Sequence, residues 1–394
     1  MSALAQSNQD QQPVNYSLRL KSYQECSRCV MDTTDPLITF DKTGHCCHCT
    51  DFLDRRAQYN YHGKESEAAL NSIFEKIRRS GRGRKYDCVL GVSGGTDSSY
   101  LAYIITQRGL RPLAVHMDNG WNSDKAVVNI KNVTRKLGID YESYVLDWEE
   151  FKDLQLSFLK ASVPEAETPT DVAIPAALHS VAAKHGIKYI LSGGNLATEG
   201  ILPSSWHYDI RDLKYLNYIH STFGSRPLKS FPTFGFKKEI YYKIVKGMRM
   251  IYPLNFVPFI RDEAERLLRE KLEWRPYGGK HHESTYTKFI QSYYLYEKFK
   301  IDYRRATLST EICVGQITRC RAVERLRSIP YDPEEIDEAK QYIAKKLSIN
   351  RDELERIMRL PPKWYWDHPN DERRLGFIYE TYRRMFHKEK LDRF

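Results

Sequence analysis

Ser93-Gly94-Gly95-Thr96-Asp97-Ser98-Ser99 gathers four hydroxyls, two glycines and a carboxylate into seven consecutive residues. The apolar run Cys88-Val89-Leu90-Gly91-Val92 precedes it and Tyr100-Leu101-Ala102-Tyr103-Ile104-Ile105 follows. That order predicts a buried strand, a tight turn and a helix whose N-terminus points above the turn. Free N–H groups and the positive dipole end make such a place an anion site, and the glycines let the backbone approach closely. A serine-rich turn without function is the plainer reading, which the strand–turn–helix context disfavours. Two further groupings could do chemistry. Cys26-Ser-Arg-Cys29 and Cys46-Cys-His-Cys49 are C-x-x-C pairs with 16 residues between them. Four thiolates at that spacing close a tetrahedron, so Cys26, Cys29, Cys46 and Cys49 are candidate ligands of a structural Zn²⁺. His45, Cys47 and His48 lie close enough to substitute, and a redox or sulfur-carrying pair is the rival reading. Finally, Tyr277-Gly-Gly-Lys-His-His-Glu283 follows a glycine pair with four ionisable side chains. Lys280, His281, His282 and Glu283 suit a site that handles a phosphate, a carboxylate and a proton. A zinc site there lacks helical i, i+4 spacing, and a plain basic loop is the bland alternative.

The heptapeptide has no Gly-Lys-Ser/Thr and is therefore not the phosphate loop of kinases and GTPases. It resembles the PP-loop of the ATP pyrophosphatases. The resemblance implies binding of ATP by Ser93–Ser99 and its cleavage to AMP and pyrophosphate. A carboxylate aimed at pyrophosphate calls for Mg²⁺ between them, which makes Asp97 the key residue for the chemistry.

The elements needed to hold these groups are visible in the pattern. Strands are expected at Asp87–Val92, Pro112–Met117, Glu142–Leu146 and Lys188–Ser192, mostly as unbroken apolar runs. Helices are expected at Glu67–Arg79, Ser98–Gln107, Ser123–Leu137 and Ile174–His185. Alternating units of this kind predict an α/β fold with a doubly wound parallel sheet and ligands above the carboxyl ends of its strands. His116-Met-Asp-Asn-Gly-Trp121 and Leu191-Ser-Gly-Gly-Asn195 end two of those strands. Asp118 is thus placed to meet a ribose or adenine, and Gly193, Gly194 and Asn195 to let a nucleotide approach the backbone. Each is weak alone, and three strand ends in register favour a nucleotide cleft. Beyond Ser204 the chain turns aromatic and basic, with an amphipathic helix over Asp262–Leu272 and helices from Asp332 onward. The expected division is a disordered tail (1–21), a zinc module (22–60), a helical connector (61–84), a nucleotide-binding domain (85–225) and a mainly helical substrate and partner region (226–394). Cys88, Cys313 and Cys320 read as small core residues.

Cys26–Cys49, Ser93–Ser99, Trp274–Glu283 and Lys298–Arg319 together resemble the N-acetyl sugar amidotransferases, the WbpG/PseA-like PP-loop enzymes of surface-polysaccharide and O-antigen synthesis. The Tyr-Gly-Gly-Lys-His string is the specific part. The resemblance implies conversion of the acetamido group of a nucleotide-linked N-acetyl sugar, a UDP-sugar acid, to an acetamidino group with ATP and ammonia. On that reading the amide oxygen takes AMP and becomes a leaving group. Lys280 would neutralise charge, and His281, His282 or Glu283 would take a proton from ammonium. An N-terminal-nucleophile glutaminase would need Cys after Met1, where Ser2 stands, and Cys313 lacks a nucleophile elbow. The resemblance therefore implies a separate ammonia source. This would be a pair similar to the glutaminase (HisH-like) and cyclase (HisF-like) subunits of imidazole glycerol phosphate synthase.

Composition bounds the alternatives. With 394 residues, 41% hydrophobic and 28% charged, this is an ordinary enzyme-like chain of two or three units. No apolar run of about 18 residues predicts a membrane span. The polar N-terminus is not a signal peptide, so a cytoplasmic location is expected. A net charge of +10 suits an anionic partner, nucleotide-linked metabolite or nucleic acid. The rival of another class is a tRNA-modifying PP-loop enzyme that thiolates a base or attaches an amino acid. A thiolase needs a reactive cysteine beside the loop, and Cys88 sits inside a strand. A zinc-organised scaffold that binds ATP without turnover is the third reading. The aromatic C-terminal half could serve as the glutaminase docking surface or equally as a homodimer contact.

Overall fold

The computed structural model describes residues 22–58, 63–277 and 282–385. The expected tail 1–21 and two candidate site residues, Lys280 and His281, lie outside them. Five parallel strands form one sheet: β1 (Cys88–Gly91), β2 (Pro112–Asp118), β3 (Asp140–Val145), β4 (Tyr189–Leu191) and β5 (Arg249–Ile251), in the order β3-β2-β1-β4-β5. Two helices precede the sheet, α1 (Cys47–Gln58) and α2 (Lys64–Ser80). Four more lie between β1 and β4: α3 (Thr96–Gln107), α4 (Asp124–Leu137), α5 (Trp148–Ala161) and α6 (Thr168–Lys184).

Alternation along the central strands sends side chains to two cores. Leu90 and Ala114 pack with Leu101, Ile105, Ile130 and Val133 of α3 and α4, together with Leu70, Phe74 and Ile77 of α2. On the other face Val89, Leu113 and Val115 pack with Leu178, Val181 and Ala182 of α6. Helices on both faces make the sheet doubly wound, as expected. The connections reverse direction between β1 and β4, and a crevice opens there above the strand ends. Local signals end the helices where the chain must turn. The Ser123 hydroxyl accepts the Ala126 N–H at 3.2 Å to start α4, and Gly138 at φ 64° stops it.

The structure departs from the sequence reading in several places. The sheet takes its fifth strand from beyond residue 225, where no apolar run announced it. β3 is an edge strand with Val145 69% exposed, unlike the buried runs of its neighbours. Two helices, α5 and α6, stand between β3 and β4 where one was expected. The cysteine-rich segment is held by single bridges, Glu25 with Asp32 and Phe40 with Cys46. Cys88 is buried as expected, whereas Cys313 is only partly buried and Cys320 is exposed.

The C-terminal region is helical, ending in Ile336–Lys346, Arg351–Arg359 and Glu372–Met385. Lys298 lies buried, and its ammonium donates to the carbonyls of Ile357 (2.7 Å), Met358 (3.1 Å) and Leu360 (2.8 Å). It caps the end of Arg351–Arg359, a structural duty for a residue in one of the family-like strings. One cluster joins Cys26 and Phe52 to Trp121, Trp206, Tyr286, Tyr294, Ile343 and Ile357, so the cysteine module, the strand ends and the helical region share a core. Among the described residues no helix is long and apolar enough to cross a membrane.

Candidate active site

Above the β1/β4 reversal lies a cleft of about 780 Å³. One end is the turn from β1 into α3. Gly94 adopts φ 79°, and a Cβ there would collide with the Ala126 carbonyl, so glycine is required twice over. Gly95 caps α3 without a side-chain hydrogen bond, leaving the first-turn N–H groups to other partners. Thr96 N–H donates to the Tyr277 hydroxyl at 3.1 Å. Gly95 N–H donates to Ser93 Oγ (3.2 Å), and Ser93 N–H to Ser98 Oγ (3.2 Å). The loop is gripped from the C-terminal side. Trp274 Nε1 (3.0 Å) and Asn129 Nδ2 (3.2 Å) both donate to the Gly94 carbonyl, and Asn129 also pairs with the Arg275 backbone. This clamp holds the start of the Trp274–Glu283 string against the Ser93–Ser99 turn, although 180 residues separate them.

Ser93, Gly95, Thr96, Asp97 and Ser98 line the cleft, while Gly94 and Ser99 support it from behind. Asp97 receives hydrogen bonds from Asn195 Nδ2 and Thr198 Oγ1, both at 3.3 Å. Glu283 reaches the same end and accepts from the Ser93 hydroxyl at 3.1 Å. Arg261 supplies a cation there: burial opposes its charge, but Glu265 at 3.0 Å holds its pKa above the ordinary value. Two carboxylates beside an N–H cradle suit a polyphosphate only with a divalent cation between them, and Asp97 offers the ligand Mg²⁺ would need.

The other expected nucleotide contacts divide. Gly193 and Gly194 line the cleft. A Cβ on Gly193 would stand 2.7 Å from Ser98 N, so this glycine admits the start of α3 as well as any ligand. Asn195 is fully buried and positions Asp97 instead of facing the cleft. Asp118 turns into its own loop, accepting from Gly120 N–H (2.9 Å) and Asn122 Nδ2 (3.1 Å), and is not among the lining residues. Its neighbour His116, unmarked by the sequence, does line the cleft. Burial lowers its pKa, and the neutral ring donates from Nδ1 to the Val92 carbonyl and accepts at Nε2 from Asn122, both at 2.9 Å. Burial also pushes His282 down to about 4, which leaves it a feeble proton acceptor.

Another part of the cleft lining is acidic. Glu165, Glu167 and Asp171, from the α5–α6 connection and the first turn of α6, line it with His207, Tyr303 and Thr287. Burial pushes Glu165 up to about 8; burial and then Asp171 do the same for Glu167. Three carboxylates in Glu165-Ala-Glu-Thr-Pro-Thr-Asp171 were visible in the sequence, but acid before a helix reads first as ordinary N-terminal charge.

Cys26, Cys29, Cys46 and Cys49 are fully buried, and their sulfurs all lie within 4.8 Å of one another. The Cys26–Cys49 and Cys29–Cys46 sulfurs are 3.8 and 3.6 Å apart. Tetrahedral Zn–S bonds of about 2.3 Å place sulfurs about 3.8 Å apart, so the donor set fits a single ion. A four-iron cluster would spread its thiolates over the corners of a cube. Backbone N–H groups of Arg28, Cys29 and Cys46 point at Cys26 Sγ, from 3.2 to 3.4 Å, and stabilise thiolate charge. Arg305 ties the module to the helix Arg304–Val314 through Glu25 (2.9 Å) and Asp32 (3.0 Å).

Comparison with known proteins gives two family matches. Residues 283–385 match the C-terminal domain of LPS biosynthesis protein WbpG-like proteins, and residues 66–162 match NAD synthase. An uncharacterised protein of Methanocaldococcus jannaschii is 25% identical over 230 residues, 57% of this chain and 73% of the relative. A tRNA(Ile)-lysidine synthase of Chlamydia pneumoniae is 36% identical over 70 residues, 17% of this chain and 22% of its own length. A tRNA-specific 2-thiouridylase of Fusobacterium nucleatum is 25% identical over 143 residues, 33% and 41% of the two chains. Among solved structures, NMN synthetase from Francisella tularensis aligns at TM-score 0.29 and 13% identity, covering 55% of this chain and 93% of its own. The U34-tRNA thiolase of Methanococcus maripaludis, solved with a [4Fe-4S] cluster, aligns at 0.30 and 18%, covering 77% and 88%.

Proposed function

We propose that this chain, similar to WbpG-like proteins over residues 283–385 and to NAD synthase over 66–162, is an ATP-dependent amidotransferase acting on a nucleotide-linked N-acetyl sugar in surface-polysaccharide synthesis. It would make an acetamidino group from an acetamido group, releasing AMP and pyrophosphate. The observation that carries this reading is the clamp of Trp274 and Tyr277 onto the Ser93–Ser99 cradle, joined there by Glu283, the first residue of the WbpG-like match.

An amide carbonyl resists amines because resonance must be broken and its oxygen leaves poorly. Transfer of AMP to that oxygen removes both obstacles. The uncapped N–H groups of α3 and the hydroxyls of Ser93 and Ser98 would receive the departing pyrophosphate, with Arg261 as a nearby cation. Asp97 would hold Mg²⁺, whose charge neutralises the phosphates when bound. Lys280 and His281, next to Glu283 in sequence, remain candidates for the sugar acid and α-phosphate. Cys26, Cys29, Cys46 and Cys49 would hold a structural Zn²⁺. Ammonia would come from a separate glutaminase with a cyclase-like subunit.

The lysidine synthase and thiouridylase relatives favour a second reading, modification of tRNA. One assay separates the two. The chain is given ATP and ammonium with either a UDP-N-acetyl sugar acid or bulk tRNA, and AMP is measured. AMP formation that depends on the sugar supports amidotransfer, and dependence on tRNA overturns it. Glutamine should replace ammonium only when a partner glutaminase is added, and glutamine-driven turnover by the pure chain would reveal an amidase site within it.

A further inference from the structure

The cleft lining carries both signs of charge. Backbone N–H groups of the Ser93–Ser99 turn and Arg55, Arg211 and Arg261 suit an anion, whereas Glu165, Glu167 and Asp171 are acidic. Glu165 is only 3% exposed. One oxygen of each glutamate is tied: Glu165 Oε2 lies 3.5 Å from the Tyr215 hydroxyl, and Glu167 Oε2 accepts from Thr287 Oγ1 at 2.9 Å. The other oxygen of each, Oε1, is buried and has no donor among the described residues. Two such acceptors in one cavity call for an occupant that donates hydrogen bonds and carries positive charge. A metal ion fits poorly. Among the described residues only the four cysteines bring three or more ligand atoms within 4.8 Å, so these carboxylates do not converge on a point. A tetrahedral ammonium ion can reach acceptors spread around it.

We propose that Glu165 and Glu167 bind the nitrogen nucleophile as an ammonium cation in the cleft and accept the proton it gives up. The proposal rests on the amidotransferase reading for its chemistry and on the buried unpartnered oxygens for its place. The groups facing the pair are Tyr215, Tyr294 and Asp367 around Glu165, and Asp171, Thr287, Tyr286 and Tyr303 around Glu167. His207 stands 3.5 Å from Asp171. A carboxylate takes a proton from NH₄⁺ and leaves NH₃. The nitrogen lone pair forms a bond to the imidate carbon. The C–O bond to AMP then breaks, its electron pair leaving with AMP, and loss of one further N–H proton to the departing phosphate leaves the amidinium product. A carboxyl held near 8 is a stronger base toward an ammonium proton than an ordinary carboxylate or His282, and it acts in its ionised form, which predominates above about pH 8.

The test uses the full chain as wild type, E165Q, E167Q and the double variant, with ammonium chloride as the probe and sodium chloride at equal ionic strength as the control. Ammonium should raise the thermal midpoint of the wild type above the sodium value, and the double variant should lose that difference. The KM for ammonium should rise about tenfold in each single variant, the size expected for a lost charge-assisted hydrogen bond. Sugar-dependent pyrophosphate–ATP exchange without ammonium should persist in those variants. Unchanged ammonium KM together with an undiminished midpoint difference would overturn the proposal, as would stabilisation by free lysine but not ammonium. Absence of exchange in the wild type would instead count against sugar adenylation, and the ammonium-specific midpoint would still decide the site.

Discussion

At one end of the cleft the receiving groups are main-chain N–H donors and hydroxyls on seven consecutive residues between β1 and α3. At the other they are carboxylates from the α5–α6 connection, set among Tyr215, Thr287 and Tyr303 from three other parts of the chain. The first end is made by backbone conformation, with Gly94 holding a turn that no side chain tolerates. The second is made by desolvation, because burial is what raises Glu165 and Glu167. A site of the first kind is robust to its surroundings, and a site of the second kind exists only while the walls are packed.

The sharpest challenge to this contrast is Asp97→Ala. AMP formation should fall by on the order of 10³-fold, while circular dichroism and the thermal midpoint stay near wild type. A variant that unfolds would mean that the bonds from Asn195 and Thr198 make Asp97 a structural residue. Removal of the metal should come next in size. Metal analysis should find about one zinc per chain, and Cys26→Ser or exhaustive chelation should lower solubility and unfold the N-terminal module. Hydrogen exchange should then rise first in the helix Arg304–Val314, which Arg305 binds to the module and whose Ala306 and Thr307 line the acidic end. Equal loosening of β1 and α3 would erase the difference between the two ends.

The pH dependence of stability gives a smaller effect with a definite sign. Glu165 and Glu167 bind protons more tightly folded, near pH 8, than at their ordinary value of 4.5. The native state therefore holds more protons across that window, and stability falls as pH rises from about 4.5 to 8. The urea midpoint should decline over this range in the wild type and decline less in the double glutamine variant. A midpoint to which these two groups contribute no pH dependence would show that the acidic end is solvated. The mildest change is Trp274→Phe, which removes the indole N–H on the Gly94 carbonyl. It should cost about 1 kcal/mol of stability and weaken ATP binding a few-fold, as read by denaturant titration and calorimetry. No change in ATP affinity would show that the cradle keeps its shape without the clamp.

Legibility in the sequence followed the range of the interactions involved. β1, β2, β4 and the four helices of the expected set emerge close to where patterning put them, since apolar periodicity is written locally. β5 has only three residues and no apolar run, and it forms because β4 presents an unpaired edge. The exposed β3 was expected as a buried run, because sequence does not say which strand becomes the edge. Lys298 lay in a family-like string and turned out to cap a helix about 60 residues away. Asp118 stood at a strand end as expected, yet its carboxylate closes a turn. Whether a strand-end residue faces ligand or its own loop depends on side-chain rotation, which spacing does not encode.

By itself the sequence determined the anion cradle, the four-cysteine ligand set and the α/β rhythm. Each rests on short-range covalent geometry: glycines that permit a turn, paired cysteines on tight knuckles, alternation that sorts apolar side chains to a sheet's faces. Tertiary structure alone decided that Trp274, Tyr277 and Glu283 meet Ser93–Ser99 and that Asn195 steers Asp97. It also decided that Glu165 and Glu167 lose their water. Hydration and long-range contact are properties of the packed chain, so the same glutamates are unremarkable in the sequence and chemically altered in the cleft.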